Sequence, residues 1–240
     1  IDTGHNYPEV IQFRDEQMAK LNARLVVGHV EDSIAKGTVV LRKETDSRNA
    51  AQAVTLLETI AENGFDALMG GARRDEEKAR AKERIFSFRD EFGQWDPKAQ
   101  RPELWSLYNA KLHKGENMRV FPISNWTEKD IWQYIKRENI EIVPLYFAKE
   151  RPVIYRDGNI IMVDDDRMKL RPGEKIEHKS VRFRTLGCYP LTGGIESTAH
   201  TLDEIIDETL SAVDSERTSR VIDHDGGAAS MERRKKEGYF

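Results

Sequence analysis

Helical and strand-like hydrophobic patterns alternate along the first part of the chain. Alanine, valine, leucine and isoleucine recur at helical spacing over residues 50–60, which predicts a helix that ends at Gly64. Short apolar runs at residues 24–27, 65–69 and 118–123 predict buried strands. Because helices alternate with these strands, the pattern predicts an α/β fold in which helices cover both faces of a parallel sheet.

Three segments carry residue types that begin helices. Pro8 follows Tyr7 at a first helical position, and Thr127 stands as an N-cap before an apolar-periodic segment. Thr201 and Glu204 have the spacing of a capping box, in which each side chain bonds a backbone N–H of the other residue. Each of these starts predicts a helix in the residues that follow.

The pattern changes after about residue 145. Residues 152–155 and 160–163 are two β-prone runs joined by an Asp-Gly turn, which is typical of a β-hairpin. The chain ends in a run rich in basic residues. We therefore predict an α/β domain over residues 1–145 and a smaller C-terminal region over residues 146–240, with the hairpin, helices and a basic tail.

Composition narrows the classes of function. The 240 residues include 38 Lys and Arg against 42 Asp and Glu, and this balance argues against nucleic acid as a partner. The apolar runs are shorter than the ~18 residues of a membrane span. Cys188 is the only cysteine, so neither an internal disulfide nor a Cys-rich zinc site is possible, and the six histidines lack ligand spacing. We expect a cytoplasmic protein without a membrane segment, and we assign no metal site.

The strongest local signal follows the predicted strand at residues 65–69. Gly70 and Gly71 allow the backbone to turn sharply and let a ligand approach its N–H groups. The cations that follow are Arg73, Arg74, Lys78 and Arg80. On a helical wheel over residues 73–90 these cations lie on a different side from most of the acidic residues. One interpretation of the segment is a solvent-exposed charged helix with Glu–Lys pairs. The position at a strand end favours a site for adjacent phosphate oxygens.

A second polar group lies at the start of the chain. Asp2, Thr3 and Gly4 follow the apolar Ile1, and such residues at a strand end can hold a ribose, a base amine or Mg²⁺. They can equally form a turn without a ligand. An apolar residue running into Asp-Thr-Gly is typical of the end of a strand, so we expect that a further piece of the protein precedes Ile1.

Residues 1–9 (IDTGHNYPE), 70–76 (GGARRDE) and 120–127 (VFPISNWT) form an ordered set of motifs. In this order they resemble the adenine-nucleotide α-hydrolase-like superfamily, whose fold is Rossmann-like, and its branch of phosphosulfate reductases and ATP sulfurylases fits best. Further blocks within residues 79–105 and 181–188 (VRFRTLGC) resemble the small-subunit family of bacterial sulfate adenylyltransferases. The resemblance covers essentially the whole chain.

The resemblance implies that ATP reacts with sulfate to give adenylyl sulfate and pyrophosphate. No protein nucleophile is needed, so catalysis would depend on positioning and charge stabilisation, with Arg73 and Arg74 as the catalytic residues. The residues that the resemblance places at the nucleotide or its phosphates are Asp2, Thr3, Gly4, Gly70, Gly71, Lys78 and Arg80. ATP would be the substrate, together with Mg²⁺, and Arg182 and Arg184 would be further anion contacts.

The resemblance also implies a partner. A GTP-hydrolysing large subunit would form a heterodimer with this chain and drive the uphill reaction. The product would serve sulfate assimilation and cysteine biosynthesis, with the sulfation of a signalling molecule as the alternative. We expect residues 91–117 and the C-terminal region to contribute to the contact face, because they carry aromatic residues outside a clear core pattern. The alternative is that these aromatic side chains pack beneath their own segments. The pyrophosphate-binding loop of the family is not found in this sequence, and we expect it in the piece before Ile1.

Two other functions stay open from the residues alone. A phosphoadenylyl-sulfate reductase on the same scaffold needs a nucleophilic cysteine near its C-terminus in a Glu-Cys-Gly-x-His context, whereas Cys188 is followed by Tyr-Pro. The chain would also suit a non-catalytic subunit that only anchors a GTPase.

Overall fold

A computed structural model gives the structure of the chain in two compact units. It describes residues 1–41, 48–76, 85–95, 98, 100, 111–189 and 191–212. The first unit comprises residues 1–4 and the described residues between 27 and 127, and the second comprises residues 5–26 and the described residues from 128 onward. The boundary predicted between residues 145 and 146 falls inside the second unit, and that division stays a prediction.

Within the described residues, three helices precede three strands, and a further helix, four strands and a last helix follow. The helices are α1 (Pro8–Lys20), α2 (Val30–Ala35), α3 (Arg48–Asn63), α4 (Glu128–Glu138) and α5 (Leu202–Ser211), with a short 3₁₀ turn at Pro144–Tyr146. The strands are β1 (Ala67–Met69), β2 (Phe86–Arg89), β3 (Asn117–Val120), β4 (Lys149–Arg156), β5 (Asn159–Met162), β6 (Glu177–Arg182) and β7 (Ile195–Glu196). Across this described part of the chain, no helix has the length and apolar character needed to cross a lipid bilayer.

The sheet of the first unit has the strand order β1-β3-β2. Strand β1 runs parallel to β3, with Ala67 opposite Met118, whereas β2 runs antiparallel to β3, with Phe86 opposite Val120. The α/β class is therefore confirmed, and so is the parallel pairing of two predicted strands. The sheet is mixed rather than wholly parallel, because the chain returns along β2 before it enters β3.

The charged helix that the helical wheel suggested for residues 73–90 is wrong at its C-terminal end, where the chain forms strand β2. Phe86 and Phe88 alternate with Ser87 and Arg89, which is the period of a strand. Their apolar side chains formed no helical stripe because they belong to one face of a sheet. Residues 77–84, which include the predicted anion ligands Lys78 and Arg80, lie outside the described residues.

The strand predicted at residues 24–27 does not form a regular ladder. The pairing in this region is an isolated parallel bridge between Asp2 and His29. Leu25 is substantially exposed, so the apolar run does not enter a core. Helix α3 follows its pattern closely, and Gly64 ends it in the left-handed conformation that glycine adopts without strain.

The second unit contains an antiparallel sheet with the strand order β5-β4-β6-β7. Asp157 and Gly158 join β4 to β5 with positive φ angles of 51° and 78°, and this confirms the predicted hairpin and its Asp-Gly turn. One core cluster packs beneath the sheet. Its fully buried side chains are Tyr7, Leu145, Ile154, Ile161, Phe183 and Tyr189.

Helix α5 begins with the predicted capping box. The Thr201 hydroxyl accepts the N–H of Glu204 at 3.3 Å, and the Glu204 carboxylate accepts the N–H of Thr201 at 2.9 Å.

Thr201→Ala is expected to lower the free energy of unfolding by about 1 kcal/mol, because one N–H at the helix start loses its acceptor. Urea unfolding measures this loss. The exposed Thr198→Ala is the control, and equal stability of the two variants would contradict the prediction.

Candidate active site

The polar turn at Asp2–Gly4 is held by backbone and side-chain hydrogen bonds. The N–H of Asp2 donates to the carbonyl of Gly28 at 2.8 Å, and the carbonyl of Asp2 accepts the N–H of Val30 at 2.9 Å. The Asp2 carboxylate accepts the N–H of Gly4 at 2.7 Å. Gly4 has a φ of +70°, and Thr3 is completely buried. The turn is therefore a fixed feature of the first unit.

Arg48, which was not among the residues predicted for the site, also contributes to this turn. Its Nη1 donates to the carbonyl of Thr3 at 2.9 Å and forms an ion pair with Glu31. A Cβ atom placed on Gly4 would lie 3.3 Å from this Nη1. One signal in the sequence could have found it: Arg48 is the first residue of α3, where the helix dipole disfavours a cation that has no specific partner.

The glycine-rich loop after β1 is anchored at the carboxyl end of two parallel strands. The N–H of Gly70 donates to the carbonyl of Val120 at 2.9 Å, and the N–H of Arg74 donates to the carbonyl of Ser124, also at 2.9 Å. Among the described residues, a Cβ atom on Gly71 would meet only Ile123, at an ordinary contact distance of 3.8 Å. These residues therefore leave space beside this part of the loop.

The two arginines of this loop differ in their surroundings. Arg73 is buried, and its Nε donates to Asp75 at 3.0 Å. Glu76 accepts the backbone N–H of Arg73 at 3.1 Å and lies 3.5 Å from its Nη1. These two carboxylates balance the charge of Arg73 within the loop, whereas Arg74 is only half-buried. Their catalytic roles stay predictions, and the geometry gives Arg73 a second task in shaping the loop.

Arg182 and Arg184, the further predicted anion contacts, lie in the second unit. The Nε of Arg182 donates to Glu208 at 2.7 Å, and the Nη2 of Arg184 donates to Glu128 at 2.6 Å. Both side chains are less than one-tenth exposed. Each guanidinium thus contacts a carboxylate, and an anion would have to share it. Their assignment as anion contacts stays a prediction.

Two more arginines share one buried face of the first sheet. Arg89 donates to Ser87 at 3.1 Å, and Arg119 donates to the side-chain oxygen of Asn117 at 3.0 Å. Burial lowers the pKa of Arg119 to about 10, which still leaves it protonated at neutral pH. The alternation of strand residues would have placed both on one face, had β2 been predicted.

Cys188 lies in the second unit and is buried. The neighbouring Tyr189 is also buried, and this burial raises the pKa of its phenol to about 12. A thiolate that attacks a substrate needs access and a stabilising cation. The burial of Cys188 does not favour such a role.

Comparison with known proteins places the chain in a family. Residues 1–194 match the model of the phosphoadenosine phosphosulfate reductase domain. The chain is 59% identical to "Sulfate adenylyltransferase subunit 2 1" of Marinobacter nauticus and 59% identical to "Sulfate adenylyltransferase subunit 2" of Hahella chejuensis. It is 58% identical to the protein of that name from Vibrio cholerae serotype O1. These alignments cover all of this chain and 79–80% of each relative. Because the domain model matches most of the chain and the relatives are more than half identical to it, the chain belongs to the phosphoadenosine phosphosulfate reductase domain family and, within it, to the sulfate adenylyltransferase subunit 2 proteins.

Proposed function

We propose that this chain transfers the adenylyl group of ATP to sulfate, forming adenylyl sulfate and pyrophosphate in sulfate assimilation. The observation that carries the proposal is the 54–59% identity, over the entire chain, with proteins named for this activity. The anchored loop Gly70–Arg74 supports it, because such a loop at the carboxyl ends of parallel strands suits phosphate oxygens.

The reaction needs placement of two anions rather than a nucleophile from the protein. A sulfate oxygen attacks the α-phosphorus of ATP, the bond from this phosphorus to the bridging oxygen breaks, and pyrophosphate leaves with that electron pair. Sulfate is fully ionised at neutral pH, so no general base is required. The chain must hold both anions in line and balance the charge that develops on the leaving group.

We assign these tasks to the described residues by their surroundings. Arg74 would contact the reacting oxyanions, and Arg73 would hold the loop in shape through Asp75 and Glu76. The N–H groups near Gly71 would face the phosphates, and Asp2 with Thr3 would lie by the nucleotide. Lys78 and Arg80 would add positive charge from the segment outside the described residues.

Mg²⁺ would enter with ATP. This ion keeps several waters and takes one or two carboxylates together with phosphate oxygens. Asp2 provides a carboxylate at the turn, and its Oδ1 already accepts the N–H of Gly4. The Asp2 carboxylate together with the phosphate oxygens of ATP fits a Mg²⁺ ion that is held largely by the phosphates. The ion would reduce the negative charge of these phosphates.

The name "subunit 2" states that the relatives are parts of a larger enzyme. We propose that the partner here is a GTP-hydrolysing large subunit, because adenylyl sulfate formation from free sulfate is uphill and needs a driving reaction. Of the aromatic residues predicted for the contact face, Trp95 is buried, and this argues against it as an interface anchor. The cytoplasmic location expected from the sequence stays a prediction.

An assay of pyrophosphate release tests the proposal. The protein in its full cellular form, with the large subunit and GTP, is expected to release pyrophosphate from ATP only when sulfate is present. A second measurement follows adenylyl sulfate directly by chromatography. Sulfate-independent release would overturn the proposal, because another nucleophile would then take the adenylyl group. No release from a folded complex that hydrolyses GTP would also overturn it and would favour a subunit that only anchors the GTPase.

Replacement of Cys188 separates adenylyl transfer from reductase chemistry. Cys188→Ser is expected to keep kcat/KM for adenylyl sulfate formation within about twofold of the parent, because no step of the transfer uses a thiol. Sulfite release with a thiol reductant is measured in parallel. Sulfite formation by the parent that Cys188→Ser abolishes would support the reductase alternative instead. Loss of the transfer reaction in a folded Cys188→Ser protein would contradict a transfer that uses no thiol.

A further inference from the structure

We infer that Arg48 binds a substrate oxyanion beside the Asp2–Gly4 turn. The oxyanion belongs either to sulfate or to the phosphates of ATP, which present the same tetrahedral array of oxygens. This inference rests on the proposed function, because it assumes that the nucleotide lies by Asp2 and Thr3. It adds a binding residue outside the motifs from which the site was predicted.

The position of Arg48 is fixed by two contacts to the turn region. Its Nη1 donates to the carbonyl of Thr3 at 2.9 Å and pairs with the carboxylate of Glu31. Thr3 is completely buried and both backbone groups of Asp2 are bonded, so the carbonyl that holds Arg48 has little freedom to move. A guanidinium held in this way loses little further entropy when it binds a ligand.

Arg48 also has donors left for a ligand. A guanidinium carries five N–H groups, and the contacts of Arg48 within the described residues all use Nη1. Its side chain is 19% exposed, so the remaining donors are open to solvent. They form the planar fork that matches two oxygens of a phosphate or sulfate group.

The charge around Arg48 favours an anion. Arg48 begins the 16-residue helix α3, whose positive dipole end adds to its own charge. Among the described residues, the carboxylate that pairs with Arg48 is that of Glu31, whose side chain is 59% exposed and therefore well screened by water. A buried or half-buried anion at this place would compensate the cation better than Glu31 does.

Steady-state kinetics of Arg48→Met in complex with the large subunit and GTP test the inference. Methionine keeps the unbranched stem and removes the charge. If Arg48 binds sulfate, the KM for sulfate is expected to rise about tenfold while the KM for ATP stays within about twofold. If it binds a phosphate of ATP, the KM for ATP rises instead. Arg48→Lys keeps the charge without the fork and is expected to show a smaller rise in the same constant.

Lys36→Met is the matched control, because it removes a charge of the same unit that lies exposed and pairs with Glu62. Unchanged KM values for both substrates in Arg48→Met would overturn the inference. Equal increases in both would overturn it as well, since they would indicate that Arg48 only holds the turn in shape. Should Arg48→Met fail to fold by urea unfolding, Arg48→Lys alone decides by the same criteria. The parent complex is assayed in the same experiment. If it forms adenylyl sulfate, the proposed function stands even when the inference about Arg48 fails, so the two failures are distinguishable.

Discussion

Arg74→Ala is expected to lower kcat/KM for adenylyl sulfate formation by about a hundredfold or more while the protein stays folded. The side chain is half-buried at the end of the loop that follows β1, and the reaction develops negative charge on the departing pyrophosphate. Alanine keeps the N–H that donates to the carbonyl of Ser124 at 2.9 Å, so the loop keeps its anchor. The loss should therefore come from the missing guanidinium and not from a displaced backbone.

Arg73→Ala should behave differently, although the two arginines are adjacent. Arg73 is buried and contacts Asp75 and Glu76 at 3.0–3.5 Å, so its removal leaves two carboxylates without the cation that balances them. We expect the free energy of unfolding to fall by about 2 kcal/mol in addition to a loss of activity. The partly exposed Asp75 keeps this cost below that of a fully buried ion pair.

The two variants are compared by urea unfolding and by pyrophosphate release with the large subunit, sulfate and GTP present. Arg137→Ala is the control, because that arginine lies on the surface of α4 with its side chain 71% exposed. Arg74→Lys should recover part of the activity, since it restores the charge without the planar fork. A folded Arg74→Ala protein that works within about twofold of the parent would remove Arg74 from the catalytic site.

Local turn chemistry explains why parts of the fold were predictable. The hairpin at Asp157-Gly158 and the capping box at Thr201 depend on residues within four positions of each other, and both formed as predicted. Helix α3 likewise shows its apolar spacing and its terminal Gly64 in one continuous stretch. Such elements need no information from distant parts of the chain.

Strand β2 was missed because its alternation covers only four residues next to a long charged run. A stretch of sequence long enough to show helical spacing includes both the charged run and the strand alternation. The charged residues outnumber the alternating ones, so the segment resembled a helix. The pairing of β2 with β3 joins residues about thirty positions apart. The sequence pattern alone does not contain that information.

The candidate site shows the same division between local and distant information. The loop Gly70–Arg74 follows a strand, as its glycines and its position indicated. Arg48 escaped notice because its partner, the carbonyl of Thr3, lies 45 residues away and has no side-chain signature. The helical wheel separated the arginines from most of the acidic residues, but the loop Gly70–Arg74 is not helical, and the carboxylates of Asp75 and Glu76 both contact Arg73.

Gly28→Ala is expected to destabilise the first unit by about 2 kcal/mol and to weaken ATP binding. A Cβ atom at Gly28 would lie 2.2 Å from Thr59 Oγ1 and 3.3 Å from Thr55 Cγ2, both on α3. The added methyl group must therefore push the helix and this backbone apart. The carbonyl of Gly28 accepts the N–H of Asp2 at 2.8 Å, so the strain reaches the turn where the nucleotide is proposed to lie.

A double-mutant cycle with Thr59→Ala identifies the cause. Removing the Thr59 hydroxyl takes away the nearest clashing atom, so Gly28→Ala should cost less in the Thr59→Ala background, with a coupling of about 1 kcal/mol in urea unfolding. Gly194→Ala is the matched control, because a Cβ atom there lies 3.5 Å from its nearest neighbour within the described part of the chain, the carbonyl oxygen of Arg182. If Gly28→Ala and Gly194→Ala are equally stable, the close approach of α3 to Gly28 does not limit this position. If the cycle shows no coupling, the cost arises from contacts other than Thr59, with the Cδ1 atom of Ile1 at 3.0 Å as the next nearest.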